Sequence, residues 1–353
     1  MAYLILANGD VYKGERIGAR GDAAGELVFT TGMTGYNETL TDPSYAGQII
    51  VQTFPLIGNC GKISPDFEGK SAARGYVVRE MCDFPSNFRS EGQLDRFLSD
   101  NGIPGICGVD TRQITRTIRE FGVMDAVISD DAGAFDRMAG EAALRFAVGS
   151  VTCKSIHVCR PDSEPRFRVS LVDYGVKRSI ITNLTARGCE VSVFPATSGA
   201  DEILSGSPDG VVLSNGPGDP SENVFQYTQI RSMMGKVPVF GICLGHQLTA
   251  LAAGGSTYKL KFGHRGGNQP VRETGSGRVY ITSQNHGYAV DPTGLAGIGR
   301  MSFFNANDGS CEGMAYEDMD CFTVQFHPEA CGGPRDTGFL FDRFISMMEN
   351  RKG

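Results

Sequence analysis

The chain contains no apolar run near the ~18 residues that a membrane span needs, no block of lysine and arginine, and no Cys-x-x-Cys pair. Each absence removes a class of protein. Without a spanning run there is no transmembrane helix to place. The one apolar stretch near the start, Ala2 to Ala7, has no basic flank and no cleavage-like site. No secretory signal is therefore read, and the chain is expected in the cytoplasm. The net charge of −7, from 33 Lys+Arg against 40 Asp+Glu, argues against nucleic acid or an anionic membrane as partner. The ten cysteines (60, 82, 107, 153, 159, 189, 243, 311, 321 and 331) lack zinc-ligand spacing, so no metal site is expected. Most should be reduced, small core residues. Gly58-Asn-Cys-Gly-Lys62 has the wrong spacing for a phosphate loop. Neither a G-x-G-x-x-G turn after a strand nor an H-E-x-x-H helix is present, so ATP hydrolysis is not expected on this chain.

What remains is a globular chain of 353 residues, about two domains' worth. Charged residues make up 21%, and the 47 glycines, spread without a period, point to many tight turns and close backbone approaches. The clearest seam is Arg160-Pro-Asp-Ser-Glu-Pro-Arg166, polar and with two prolines. It suggests an N-terminal domain at 1–150, a linker at 151–167 and a second domain at 168–353. The first part offers short strands at Tyr3–Leu6, Glu26–Thr30, Gln48–Thr53 and Gly75–Val78. It also offers an amphipathic helix after Asp110 with Ile114 and Ile118 four apart, a mixed α+β pattern.

Past the seam, strands and helices alternate. Phe167–Val172, Val191–Phe194, Gly210–Ser214 and Val237–Phe240 read as strands; helices lie around Ile180–Leu184 and Val224–Met233. That rhythm predicts an α/β fold with an open, mostly parallel sheet and flanking helices. Ligands in such a fold sit beyond the carboxyl ends of the strands.

Three strand-ending segments carry chemistry. In Gly241-Ile-Cys-Leu-Gly-His-Gln247 a buried strand runs into an apolar helix through Gly-x-Cys-x-Gly, the cysteine form of a nucleophile elbow. A helix N-terminus favours a thiolate there, and the Leu244 N–H can face a developing oxyanion. A cysteine nucleophile needs a base, and the chain has five histidines: 157, 246, 264, 286 and 327. His327 ends the predicted strand Cys321–Phe326, and Pro328 favours extended backbone, so His327 and Glu329 should share a face. Together they would complete a Cys243–His327–Glu329 triad. His246, on the helix after the elbow, is the competing base and the better fit to a supporting role. In Leu213-Ser-Asn-Gly-Pro-Gly-Asp-Pro220 the Gly-Pro-Gly turn offers N–H groups suited to a second oxyanion donor.

The elbow, the Asn215–Pro220 loop and His327-Pro-Glu329 together resemble the signature of class I (triad) glutamine amidotransferases, a flavodoxin-like fold, over residues 168–353. Phe29-Thr-Thr-Gly-Met-Thr-Gly-Tyr-Asn-Glu38, Asp42-Pro-Ser-Tyr45, Gly108-Val-Asp-Thr-Arg112 and Ser283-Gln-Asn-His-Gly-Tyr-Ala289 are similar to the small subunits of carbamoyl-phosphate synthases. That extends the likeness over essentially the whole chain. The resemblance implies hydrolysis of L-glutamine and passage of ammonia through an internal channel to a large subunit. The large subunit would make carbamoyl phosphate from bicarbonate and two ATP, for arginine and pyrimidine synthesis. ATP and divalent metal would belong to the large subunit, leaving no cofactor on this chain. The assembly would be a heterodimer or an oligomer of heterodimers.

By the same resemblance, glutamine contacts fall on Ser44, Gly216, Gly218, Leu244, Gln247, Asn285, Gly287 and Tyr288, with Gly218 and Leu244 as oxyanion donors. Ser44 would bring the N-terminal domain to the pocket. Tyr288 departs from an aromatic that is often Phe. With Gly353 following shortly after the amphipathic segment Leu340, Phe344, Met347, no fused synthetase half is expected. The alternatives are an amidotransferase serving another synthase, disfavoured by this N-terminal half, and a non-catalytic scaffold, disfavoured by the intact triad residues.

Overall fold

Seven strands of the N-terminal half, rich in β-branched residues, close on one another as a barrel in the computed structural model, which describes residues 1–138, 140, 147–330 and 332–352. The chain divides into Met1–Ala147 and Val148–Gly353. In the first unit the strands are β1 (Ala2–Leu6), β2 (Val11–Gly18), β3 (Ala23–Thr30), β4 (Gln48–Gln52), β5 (Gly75–Val77), β6 (Pro104–Cys107) and β7 (Met124–Ser129). Their order around the barrel is β1-β2-β6-β5-β4-β3-β7. The pairs from β3 through β6 are parallel and the rest antiparallel. Closure leaves no unpaired edge. Helix α1 (Thr111–Phe121) starts where Asp110 accepts the Gln113 N–H at 3.0 Å, and it buries Ile114 and Ile118. The four strands expected here are all present, and the mixed α+β pattern takes the specific form of a barrel.

In the second unit the strands are β8 (His157–Cys159), β9 (Phe167–Asp173), β10 (Cys189–Pro195), β11 (Gly210–Leu213), β12 (Val239–Ile242), β13 (Ser256–Glu273), β14 (Val279–Asp291), β15 (Arg300–Asn305), β16 (Cys311–Tyr316) and β17 (Cys321–Val324). They form one sheet in the order β8-β10-β9-β11-β12-β17-β16-β14-β13-β15. The centre, β10-β9-β11-β12-β17, is parallel throughout. The expectation of a mostly parallel sheet describes that centre. Beyond β17 the sheet continues as four antiparallel strands, and β8 adds an antiparallel edge.

Side-chain alternation sorts the centre onto two cores. Val211, Leu213 and Val239 pack on one face with Leu244 and Leu248, whereas Val212, Phe240 and Ile242 pack on the other with Phe322, Phe341 and Phe344. Phe240 stacks on Phe322 with ring centres 4.5 Å apart. Helices α2 (Arg178–Thr185), α3 (Val224–Met233), α4 (Leu244–Ala252) and α5 (Phe339–Lys352) flank the sheet.

One expected boundary moves. The segment expected as a linker belongs to the second unit. Thr152 Oγ1 donates to the Asp173 carbonyl at 2.6 Å, the Cys153 N–H reaches Asp173 Oδ2 at 2.7 Å, and His157–Cys159 pairs with Cys189–Pro195. The prolines of the seam mark the short return from edge strand to β9 rather than a free tether. Among the described residues no helix is long and apolar enough to cross a membrane. The nine described cysteines are free thiols, and Cys331 lies outside the described residues.

Candidate active site

Strand β12 leads directly into Cys243, whose backbone sits at φ 53°, ψ −101°, before α4 begins at Leu244. A non-glycine residue pays roughly 1–3 kcal/mol to stay in so sparse a region, and such strain persists only where the surroundings enforce it. Here they do. The Cys243 N–H donates to the Val324 carbonyl at 2.8 Å, and its own carbonyl accepts from His246 and Gln247 at 3.1 and 3.2 Å. The flanking glycines are required by space. A Cβ on Gly245 would lie 2.3 Å from the Leu213 carbonyl, and one on Gly241 2.7 Å from Thr323 Cγ2.

The loop after β11 is tied to the elbow, since the Gly245 N–H donates to the Ser214 carbonyl at 3.0 Å. A Cβ on Gly216 would meet the Tyr174 carbonyl at 2.3 Å and Leu244 Cδ2 at 2.9 Å. Gly218 has φ 91°, in the left-handed region that favours glycine. Among the described residues, nothing accepts from the N–H groups of Leu244, Gly216 or Gly218. These are the free donors an oxyanion site needs.

His327 follows β17 and is anchored by its N–H on the Ser283 carbonyl at 2.9 Å. Its Nδ1 lies 2.6 Å from Glu329 Oε1, and both side chains are buried. Burial and the nearby Lys177 disfavour the imidazolium, but Glu329 and the Cys243 side chain outweigh them and raise the pKa of His327 to about 10. Burial works against the Glu329 carboxylate too, yet His327 and Lys177 hold its pKa below the ordinary value. With Nδ1 committed to Glu329, Nε2 is the nitrogen left for proton transfer, and it makes no full hydrogen bond among the described residues.

His246 is settled differently. Its Nδ1 lies 2.8 Å from Thr323 Oγ1, it is fully buried, and burial pushes its pKa down to about 3. It is a neutral packing group beneath the elbow.

The remaining expected residues fall as follows. Gln247, on α4, donates through Nε2 to the Tyr288 carbonyl at 2.8 Å and to Gln325 Oε1 at 3.0 Å. Asn285, Gly287 and Tyr288 lie on β14, and the Asn285 carbonyl is 3.8 Å from Cys243 Sγ. Ser44 belongs to the first unit, buried in the turn Pro43–Tyr45 with its N–H on Asp42 Oδ1 at 2.9 Å.

Two residues at the site were not singled out in the sequence. Lys177 places Nζ 3.5 Å from Glu329 Oε1, and Gln325 Nε2 lies 3.6 Å from Cys243 Sγ. Both had a readable signal. Lys177 follows the carboxyl end of β9, and Thr323, Gln325 and His327 alternate onto one face.

Residues 170–347 match the family described as glutamine amidotransferase class-I, and residues 4–128 match the carbamoyl-phosphate synthase small chain, CPSase domain. Three relatives named carbamoyl phosphate synthase small chain are similar over nearly the full length. That of Fusobacterium nucleatum is 49% identical over 98% of this chain and 98% of its own. That of Listeria monocytogenes is 47% identical over 99% and 97%. That of Syntrophotalea carbinolica is 46% identical over 99% and 98%.

Proposed function

Because the chain belongs to the carbamoyl-phosphate synthase small chain family, we propose that it is the glutamine-hydrolysing subunit of such a synthase and works through a Cys243 thioester. One observation carries the reading. A cysteine held at φ 53° on a strand-to-helix turn shares its surroundings with a histidine whose far nitrogen is bound to a buried carboxylate.

In this mechanism Cys243 Sγ, as thiolate, attacks the δ-carbonyl carbon of glutamine. The carbonyl electrons move to oxygen, which is stabilised by the N–H groups of Leu244 and Gly218. The protonated His327 gives its Nε2 proton to the amide nitrogen, the C–N bond breaks, and ammonia leaves. Water then attacks the thioester, His327 takes the water's proton, and breakage of the C–S bond returns the thiolate and releases glutamate. Glu329 holds the ring and stabilises the imidazolium throughout. Glutamine contacts are assigned to Gly216, Gly218, Leu244, Gln247, Asn285, Gly287 and Tyr288.

Ammonia freed into water at neutral pH is protonated and ceases to be a nucleophile, so it must travel dry to a large subunit. That partner would make carbamoyl phosphate from bicarbonate and two ATP. The test compares wild type and Cys243→Ser with the large subunit, fed glutamine or an ammonium salt. Loss of glutamine-dependent synthesis with ammonia-dependent synthesis kept is the expected result. Glutamine hydrolysis by Cys243→Ser at the wild-type rate would overturn the assignment.

A further inference from the structure

Behind the wall that faces Cys243 lies a buried polar cluster with no part in the mechanism above. Glu312, on β16, has no exposed surface. Its Oε1 is 3.2 Å from His264 Nδ1 and accepts from Asn305 Nδ2 at 3.3 Å, while Oε2 accepts from Gln284 Nε2 at 3.0 Å. His264 spends its other nitrogen on Asp308 Oδ2 at 2.9 Å. His286 Nδ1 donates to the Tyr288 carbonyl at 2.8 Å, and its Nε2 lies 3.1 Å from Gln284 Oε1. An ionisable group is buried this completely only when partners compensate its desolvation. The partners come from three other strands, β13, β14 and β15.

We propose that Glu312 is a positioning residue for glutamine binding: its carboxylate clamps β14 through Gln284 and β13 through His264, and so fixes the Asn285–Tyr288 stretch that faces the sulfur. The connection is continuous. Gln284 and His286 bracket Asn285, whose carbonyl lies 3.8 Å from Cys243 Sγ. His286 holds the Tyr288 carbonyl, which also receives Gln247. The Glu312 backbone carbonyl accepts the Gln325 N–H at 2.8 Å, and Gln325 in turn reaches Cys243 Sγ. Pairing of β13 with β14 shifts register between Lys259 and His264 and again between Gly266 and Gln269. The regular ladder is therefore broken on either side of His264, and side-chain bonds must hold the local geometry. His264, His286 and Glu312 also bring ligand atoms within 4.8 Å of one another, close enough to hold a metal ion. The nitrogens of His264 and the oxygens of Glu312 are already taken up by hydrogen-bond partners, and that favours the clamp.

This inference rests on the glutaminase reading, and its test separates the two. Glutamine kcat and KM are measured for the full chain as wild type, Glu312→Leu, Glu312→Gln and Gln284→Met. Glu312→Leu should raise KM about tenfold or more, the scale on which misplacing a binding group acts, with kcat within about threefold of wild type. Glu312→Gln should restore KM, because the new amide keeps an oxygen for His264 and Asn305 while the Gln284 amide turns over to meet its nitrogen. Gln284→Met removes a single donor and gives a smaller rise of the same sign should Glu312→Leu fail to fold. An unchanged KM in a folded Glu312→Leu, or in Gln284→Met where the leucine variant does not fold, would overturn the proposal. So would Glu312→Gln as impaired as the leucine variant, or one tightly held metal ion per chain lost on substitution. A wild type inert towards glutamine would instead sink the glutaminase reading.

Discussion

Glu329→Gln isolates what a single charge contributes to the site. The substitution keeps the shape and an oxygen for His327 Nδ1 at the 2.6 Å contact, and it removes only the negative charge. A hydrogen bond to a charged group contributes about 1.5–3 kcal/mol and a neutral one about 0.5–1.5, so the loss is about 1–2 kcal/mol. At 1.36 kcal/mol per decade this is roughly a 5- to 30-fold fall in kcat, with KM little changed because Glu329 does not touch substrate. Lys177, 3.5 Å from Glu329, already lowers the proton affinity of the His327 ring, and the carboxylate no longer offsets that effect.

The same pair sets a pH signature in stability. His327 binds its proton more tightly folded than unfolded, so its contribution is complete below about 6.5 and fades as pH rises towards about 10. Glu329, held below its ordinary value of 4.5, contributes above that pH and is lost as pH falls. The difference in Tm between wild type and Glu329→Gln should thus peak between these two ordinary values and shrink in alkali. Steady-state glutaminase assays and thermal melts across pH check both. A kcat within twofold of wild type, or a stability difference that widens with rising pH, would refute the reasoning.

Thr323→Val leaves the buried His246 without its 2.8 Å partner. It should cost about 1–3 kcal/mol, seen as a lower Tm, while glutaminase activity is retained; strong loss of activity would give His246 a catalytic part. Gly245→Ala forces a Cβ to within 2.3 Å of a backbone oxygen, so soluble, folded protein should be sharply reduced in expression and circular dichroism. Asp110→Ala removes the cap of α1 in the first unit and should cost about 1 kcal/mol by denaturant unfolding.

The parallel centre of the second unit was legible because β11 and β12 are unbroken apolar runs and β9 and β10 hold alternating apolar residues, with glycine or proline close behind each. The residues proposed as the triad stand out because Cys243 and His327 follow the ends of two central strands, β12 and β17. The antiparallel half was not legible. β13 is largely half-exposed with charges on both faces, β14 mixes buried and half-exposed residues, and their pairing shifts register twice, so neither alternation nor a continuous run marks them. The first unit's barrel closure depends on pairing between β1 and β7, far apart in sequence, and no local pattern specifies that. The seam at 160–166 misled for a local reason: proline and charge mark a turn equally well between domains and beside an edge strand. The signal at Lys177, a place just past a strand end, is weak by itself and gains meaning only from the buried Glu329 carboxylate against it.

The account stands on the sulfur of Cys243 carrying the substrate's acyl group. Rapid acid quench of the chain turning over glutamine, followed by mass analysis of its peptides, reads this directly. One glutamyl group on the peptide that contains Cys243, absent from Cys243→Ala, is the predicted result. Sustained glutamine hydrolysis with no acyl group ever found on Cys243, or hydrolysis undiminished in Cys243→Ala, would contradict it.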